Sequence, residues 1–247
     1  DGFVQVKGIS AEEFGVSQGD LKKDVPEIRG ARKNADGTII QGQSDVVTFD
    51  GLAYQQDIAG NLPINNLRIR TCYDYETQSS ALLCIKEKNV DGLKDDEVCM
   101  INENKRVVNS GAPIHVANVI ETSKGQNGIQ VTFDLQHTGP DNFKWFPEGD
   151  DVCDPSIDNN QLYRIEVEVD PIINGQVPAE CTGGSFDGGN VGEVIMFNGD
   201  SRKVTCSFDV GDRESDFETR VNVELRYRYL QYVEKELLIK DLGTTEE

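Results

Sequence analysis

Two stretches of the chain share one alternating pattern of apolar and polar positions. Residues 67–87 (LRIRTCYDYETQSSALLCIKE) lie over residues 221–241 (VNVELRYRYLQYVEKELLIKD) without a gap at a shift of 154. Tyr73 falls on Tyr227, Tyr75 on Tyr229, Leu83 on Leu237, Ile85 on Ile239 and Lys86 on Lys240. In the first copy Leu67, Ile69, Thr71, Tyr73 and Tyr75 alternate with Arg68, Arg70, Asp74 and Glu76. In the second, Val221, Val223, Leu225, Tyr227 and Tyr229 alternate with Asn222, Glu224, Arg226 and Arg228. A period of two with one charged face predicts a half-buried strand. A polar segment and a second short apolar run follow, so each copy is predicted to be a β-hairpin that closes a domain.

The rest of the chain reads as further short strands. Before the first copy they are predicted at residues 3–9, 37–41, 44–49 and 52–58, with a single helical turn at Ala11 to Phe14 capped by Ser10. Residues 60–66 read as a turn-rich link. About five strands fall short of the roughly seven of an Ig-like sandwich, so the first domain reads as incomplete at its N-terminus. Residues 89–113 carry charge and turn residues without a period, which places a boundary near residue 110. Beyond it, strands are predicted at residues 114–121, 128–136, 162–170, 177–181, 194–197 and 203–208. The expected fold is all-β: two tandem Ig-like antiparallel sandwiches, residues 1–110 and 111–247, with no long helical period anywhere.

Composition narrows the function. A formal net charge of −20 over 247 residues argues against nucleic acid or an anionic membrane surface as partner, since both need basic patches. No apolar run reaches the roughly 18 residues of a membrane span. The chain starts at Asp1 without a signal peptide, which suggests a processed chain or a fragment whose membrane attachment, if any, lies in an anchor outside it. Six cysteines without a CxxC pair, beside only two histidines, favour disulfides and an oxidising compartment over tetrahedral zinc, with buried free thiols as the plainer alternative. Six cysteines allow 15 connectivities. Cys84 with Cys99 and Cys181 with Cys206 are the preferred pairs, each closing a short loop. Cys72 could instead face Cys84 across the expected hairpin, and Cys153 stays unassigned.

Candidate chemistry is sparse. His115 sits in an alternating strand and His137 heads a turn, His137-Thr138-Gly139-Pro140, so neither reads as a base. No G-x-S-x-G, HExxH or phosphate-loop motif occurs, the pairs Gly183-Gly184 and Gly188-Gly189 read as turns, and no enzyme is expected. No cofactor is expected except calcium, for which Glu148, Asp150, Asp151, Asp154 and Asp158 crowd one loop. Asp209, Asp212, Glu214 and Asp216 form a second acidic cluster, and Asp91, Asp95, Asp96 and Glu97 a third. In so acidic a chain the simpler reading of each is a solvated loop. Phe143, Trp145 and Phe146 in the same long loop are either a ligand platform or the apolar pins that hold the loop down.

The run Gln130 to Gly139 and the closing stretch from Val221 to Ile239 resemble the CARDB-type Ig-like modules of prokaryotic surface proteins. His137 stands where that family commonly has the Asn of Asn-x-Gly. The run Cys72-Tyr73-Asp74-Tyr75-Glu76-Thr77, with Cys84 beyond it and Ala112-Pro113 opening the next domain, resembles secreted proteins of archaea with small genomes. The resemblance covers residues 45–241 and implies an extracellular, non-catalytic surface or filament component whose partners are itself or other surface proteins. Either strand addition is the joint, with residues 1–9 as donor to the short first domain, or the missing strands belong to the same polypeptide upstream of Asp1. The alternative is a carbohydrate- or calcium-binding module built on the loop at residues 141–160.

Overall fold

Each repeated stretch is one unbroken strand, not a hairpin. The computed structural model describes residues 2–30, 32–33, 38–87, 98–141, 143–147, 153, 161–173 and 179–241. Its strands, in chain order, are β1 (Gly2–Lys7), β2 (Lys22–Val25), β3 (Arg32–Lys33), β4 (Ile39–Ile40), β5 (Asn61–Ile85), β6 (Asn104–Lys105), β7 (Val107–Asn109), β8 (Ile114–Ser123), β9 (Gly128–His137), β10 (Phe143–Phe146), β11 (Arg164–Ile172), β12 (Ala179–Thr182), β13 (Val191–Ile195), β14 (Arg202–Asp209) and β15 (Phe217–Lys240). Helical structure among the described residues is confined to short 3-10 turns, including Gly19–Leu21 and Phe197–Gly199.

The expected turn after Glu76 is absent because its polar residues are satisfied inside the fold. Thr77 Oγ1 donates to the Ile114 carbonyl at 3.0 Å and lies 3.0 Å from the Tyr227 hydroxyl, while Ser79 Oγ meets Asn109 Oδ1 at 2.6 Å. A buried polar group with a partner carries little penalty, so the strand runs on. The link expected at residues 60–66 is likewise strand from Asn61 on, the start of β5.

β5, 25 residues long, and β15, 24 residues long, are neighbours in one sheet. Ring contacts give the register: Tyr73 meets Tyr229 with centroids 6.0 Å apart, and Tyr75 stacks on Tyr227 at 5.9 Å. Each step forward on β5 is a step back on β15, which is antiparallel pairing. The repeated Tyr-x-Tyr therefore reads against itself, and each tyrosine of one copy finds a tyrosine of the other.

Two compact units result, and the chain does not divide near residue 110. One unit is Asp1–Asp74 with Tyr229–Glu247, and the other is Tyr75–Arg228. The second is nested in the sequence of the first. The shortage of strands expected in the N-terminal domain is thus made good by the end of β15. Arg68 pairs with Glu234, Thr71 Oγ1 reaches the Gln231 carbonyl, and the Asp241 amide donates to the Gly60 carbonyl at 3.0 Å. β1, expected as a donor strand, is bonded on both sides within its own chain: to β5 from Gly2↔Tyr73 to Lys7↔Arg68, and to β2. Val6, Ala11 and Leu21 form the core of this unit, with Phe49, Leu52 and Leu67 packed against them. Residues 44–49 and 52–58, expected as strands, join no ladder and serve that core from a covering loop, tied by Ala53 N–H to the Phe14 carbonyl at 3.1 Å.

The nested unit is a sandwich of two antiparallel sheets. In one, β13, β11, β15 and β5 follow in order with β7 on β5; the other is β12-β14-β9-β8-β6. Ala81, Val221 and Val223 of the first sheet line the same small interior gap as Val116, Val131 and Phe133 of the second. On β9 the four apolar residues Ile129, Val131, Phe133 and Leu135 are all buried, as strict alternation on a half-buried strand requires.

The nesting predicts that residues 1–110 made alone stay unfolded, since β5 then lacks β15. A poorly dispersed proton–nitrogen correlation spectrum is the expected result, and a dispersed one would show a self-sufficient N-terminal domain.

Candidate functional site

All six cysteines are oxidised. Cys84 bonds Cys99 and Cys181 bonds Cys206, while Cys72 and Cys153 are also disulfide-bonded. Cys181 and Cys206 are direct cross-strand partners on β12 and β14, so that bond ties down an edge strand. Such a complete cysteine framework fits an oxidising environment.

Beside Cys84 lies a buried ion pair. β8 carries a bulge between Ala117 and Ile120, where Asn118 takes a φ of 51°. The slip moves the buried face from Ile114 and Val116 to Val119 and Glu121, and so turns a carboxylate inward. Glu121 is 0 % exposed and accepts the Cys84 backbone N–H at 2.9 Å and Lys105 Nζ at 3.0 Å. Lys105 also donates to Glu103 at 2.8 Å. Burial pushes the Glu121 carboxyl above the ordinary glutamate range, against the bonds from Cys84 and Lys105. Alternation read without the bulge leaves Glu121 outside, which is why the pattern missed it.

Phe143, Trp145 and Phe146 do not form an exposed platform. Trp145 and Phe146 are 0 % exposed, and only Phe143 keeps part of its surface. They lie on β10, and the Tyr163 amide donates to the Trp145 carbonyl at 2.8 Å. Phe143 stacks on Trp145 at 5.3 Å, Tyr163 meets Trp145 edge-on at 4.9 Å, and His137 lies 3.6 Å from Phe143 between ring centroids. Burying these rings is worth more than displaying them, at roughly 1.5–3 kcal/mol for a large apolar side chain. His137 does more than turn the chain: it is a wall of this cluster, and burial lowers its pKa while Asp141 opposes the shift. Burial raises the Tyr163 phenol. His115 leaves Nε2 buried without a partner, as does the Trp145 indole N–H.

The cluster supports a cleft that the pattern did not reveal. From β12 the chain crosses to the other sheet at β13, then crosses back to β14 through the turn Phe197–Gly199. The two crossings frame an opening of about 420 Å³ bordered by Gly183, Ser185, Glu193, Phe197 and Arg202. Gly199, with φ +85°, sits directly on the cluster: a Cβ there would come within 2.9 Å of the Phe143 ring. Gly183, with φ +102°, forms the floor, where a Cβ would overlap the Lys203 carbonyl. Phe197 is 62 % exposed. The strand expected at residues 194–197 includes it, but β13 stops at Ile195.

No family of known proteins, curated protein or solved structure matches this chain. The proposed calcium residues Glu148, Asp150, Asp151, Asp154 and Asp158 lie outside the described residues, as do Asp91, Asp95, Asp96 and Glu97. In the other acidic cluster one carboxylate holds a turn and two tie the segment to residues distant in sequence. Asp209 accepts the Gly211 N–H at 3.0 Å, Asp212 the Asn127 amide at 3.1 Å, and Asp216 the Glu87 N–H at 2.9 Å. Among the described residues no group of three or more His, Cys, Asp or Glu is arranged to hold a metal ion.

Two predictions follow from these contacts. Lys105→Met strands the Glu121 carboxylate and should cost about 3–5 kcal/mol at neutral pH. Because the folded pKa of Glu121 is raised, the stability it carries is lost as pH rises through that value, so the deficit should shrink on acidification toward the glutamate range. Adding Glu121→Gln should recover most of it, and urea unfolding across pH measures both effects. A deficit independent of pH would mean lost packing alone. Gly199→Ala should cost about 1–3 kcal/mol and change the near-ultraviolet circular dichroism of Trp145, the only tryptophan. An unchanged spectrum would show that the turn does not bear on the ring cluster.

Proposed function

We propose that this protein is a non-enzymatic, extracellular structural or adhesive component of a cell surface or filament. The observation that carries this reading is the set of six oxidised cysteines in an all-β fold. Secreted proteins work without chaperone rescue in oxidising surroundings, and a cross-linked sandwich resists unfolding there. The polar residues that might have signalled catalysis are engaged structurally: His137 in a ring cluster, Glu121 in an ion pair, Asp209 in a turn, and Asp212 and Asp216 in hydrogen bonds to distant segments. The resemblance to prokaryotic surface modules points the same way.

Self-association by strand addition needs a free edge. β1 is enclosed, β12 is bonded along β14 with the Cys181 N–H taken by the Gly189 carbonyl, and β13 is capped by Ser185, which exchanges both backbone bonds with Glu193. β2, with the sequence Lys-Lys-Asp-Val, is the edge of its sheet, and its paired lysines discourage random pairing. Assembly through β2 therefore requires an acidic or neutral partner strand.

Native mass by light scattering and negative-stain imaging under non-reducing conditions test the assembly. Filaments or large oligomers that Lys22→Glu/Lys23→Glu disperses are expected. A monomer at all concentrations would remove the filament reading and leave adhesion as the role to test.

A further inference from the structure

We infer that the cleft between Gly183 and Phe197 binds a neutral pyranoside, one or two units of a glycan. This goes beyond the assembly reading and does not depend on it, since a monomer carries the same cleft. Three features converge there. Phe197 holds a phenyl ring 62 % exposed at the rim, yet the turn beneath it is fixed by Gly199 against Phe143 and Trp145. An exposed aromatic usually costs solubility for nothing. On a rigid base it offers a flat apolar face, and the axial C–H face of a pyranose stacks on such a ring. The same cleft is lined by planar polar groups suited to vicinal hydroxyls: the guanidinium of Arg202, which donates through Nε to the Gly183 carbonyl at 3.4 Å, and the carboxylate of Glu193, which is paired with Arg164. Ser185 adds an exposed hydroxyl.

The volume, about 420 Å³, lies within the roughly 300–1,000 Å³ of small-ligand sites. Charge selects the class of sugar. The two charged residues that line the cleft, Arg202 and Glu193, cancel, and the chain as a whole carries −20. A polyanion is repelled by that field, whereas a neutral glycan is indifferent to it. Gly183 matters because any side chain there would collide with the Lys203 carbonyl and force the floor to move.

The test is a nuclear magnetic resonance titration of the oxidised full chain with cello-, malto-, manno- and chito-hexaose, and with oligogalacturonate as the anionic counterpart. At least one neutral hexamer should shift the amides of residues 183–185, 193–195 and 197–202. Phe197→Ala should then weaken binding by about tenfold or more, as loss of an aromatic anchor does. Arg202→Gln should weaken it by a smaller factor. Both side chains are exposed, so near-ultraviolet circular dichroism of the variants should match the parent. The inference fails if no neutral hexamer binds, if only the anionic one does, if the shifts fall elsewhere, or if Phe197→Ala leaves affinity unchanged.

Discussion

The fold depends on the antiparallel pairing of two long strands that resemble each other. β5 and β15 each serve both compact units, giving one half to each. A sequence repeat usually marks a duplicated domain. Here it marks a strand and its partner. Alternation of period two is what makes this possible, because an antiparallel neighbour with the same alternation puts like faces on like sides. Tyr73 beside Tyr229 and Tyr75 beside Tyr227 are the visible result.

Much of the architecture was legible because alternation is a local signal. β8, β9, β11 and β14 lie close to where hydrophobic periodicity puts them, and the short spacings of Cys84 with Cys99 and Cys181 with Cys206 match the bonds present. Continuation was not legible. A polar run such as Glu76 to Ser80 looks the same whether it turns in water or crosses a core with its hydroxyls bonded, and the partners that decide it, Ile114, Tyr227 and Asn109, are remote in sequence. Asn118 hides a second decision. One residue of slip reverses every later side chain on β8, and nothing in the apolar pattern announces it.

The candidate site was hidden for a related reason. Aromatic residues in a long loop advertise themselves, yet Trp145 and Phe146 are spent on packing. The ring left exposed, Phe197, belongs to a three-residue turn whose position follows from two sheet-to-sheet crossings. Those crossings are properties of topology. The buried rings still bear on the cleft, because they are the platform on which Gly199 sets that turn.

The nested arrangement also orders events in time. Arg68 and its partner Glu234 are 166 residues apart, so a chain emerging from the ribosome must release the whole inner sandwich before the outer unit gains its last strand. Until then the β5 edge that later receives β15, around Arg68 and Thr71, has no neighbouring strand on that side. Contacts between such distant residues form slowly, typically in milliseconds to seconds for β folds, and the waiting edge is the place where a neighbouring chain can intrude. The inner unit waits as well, since Thr77 and Tyr227 meet across 150 residues.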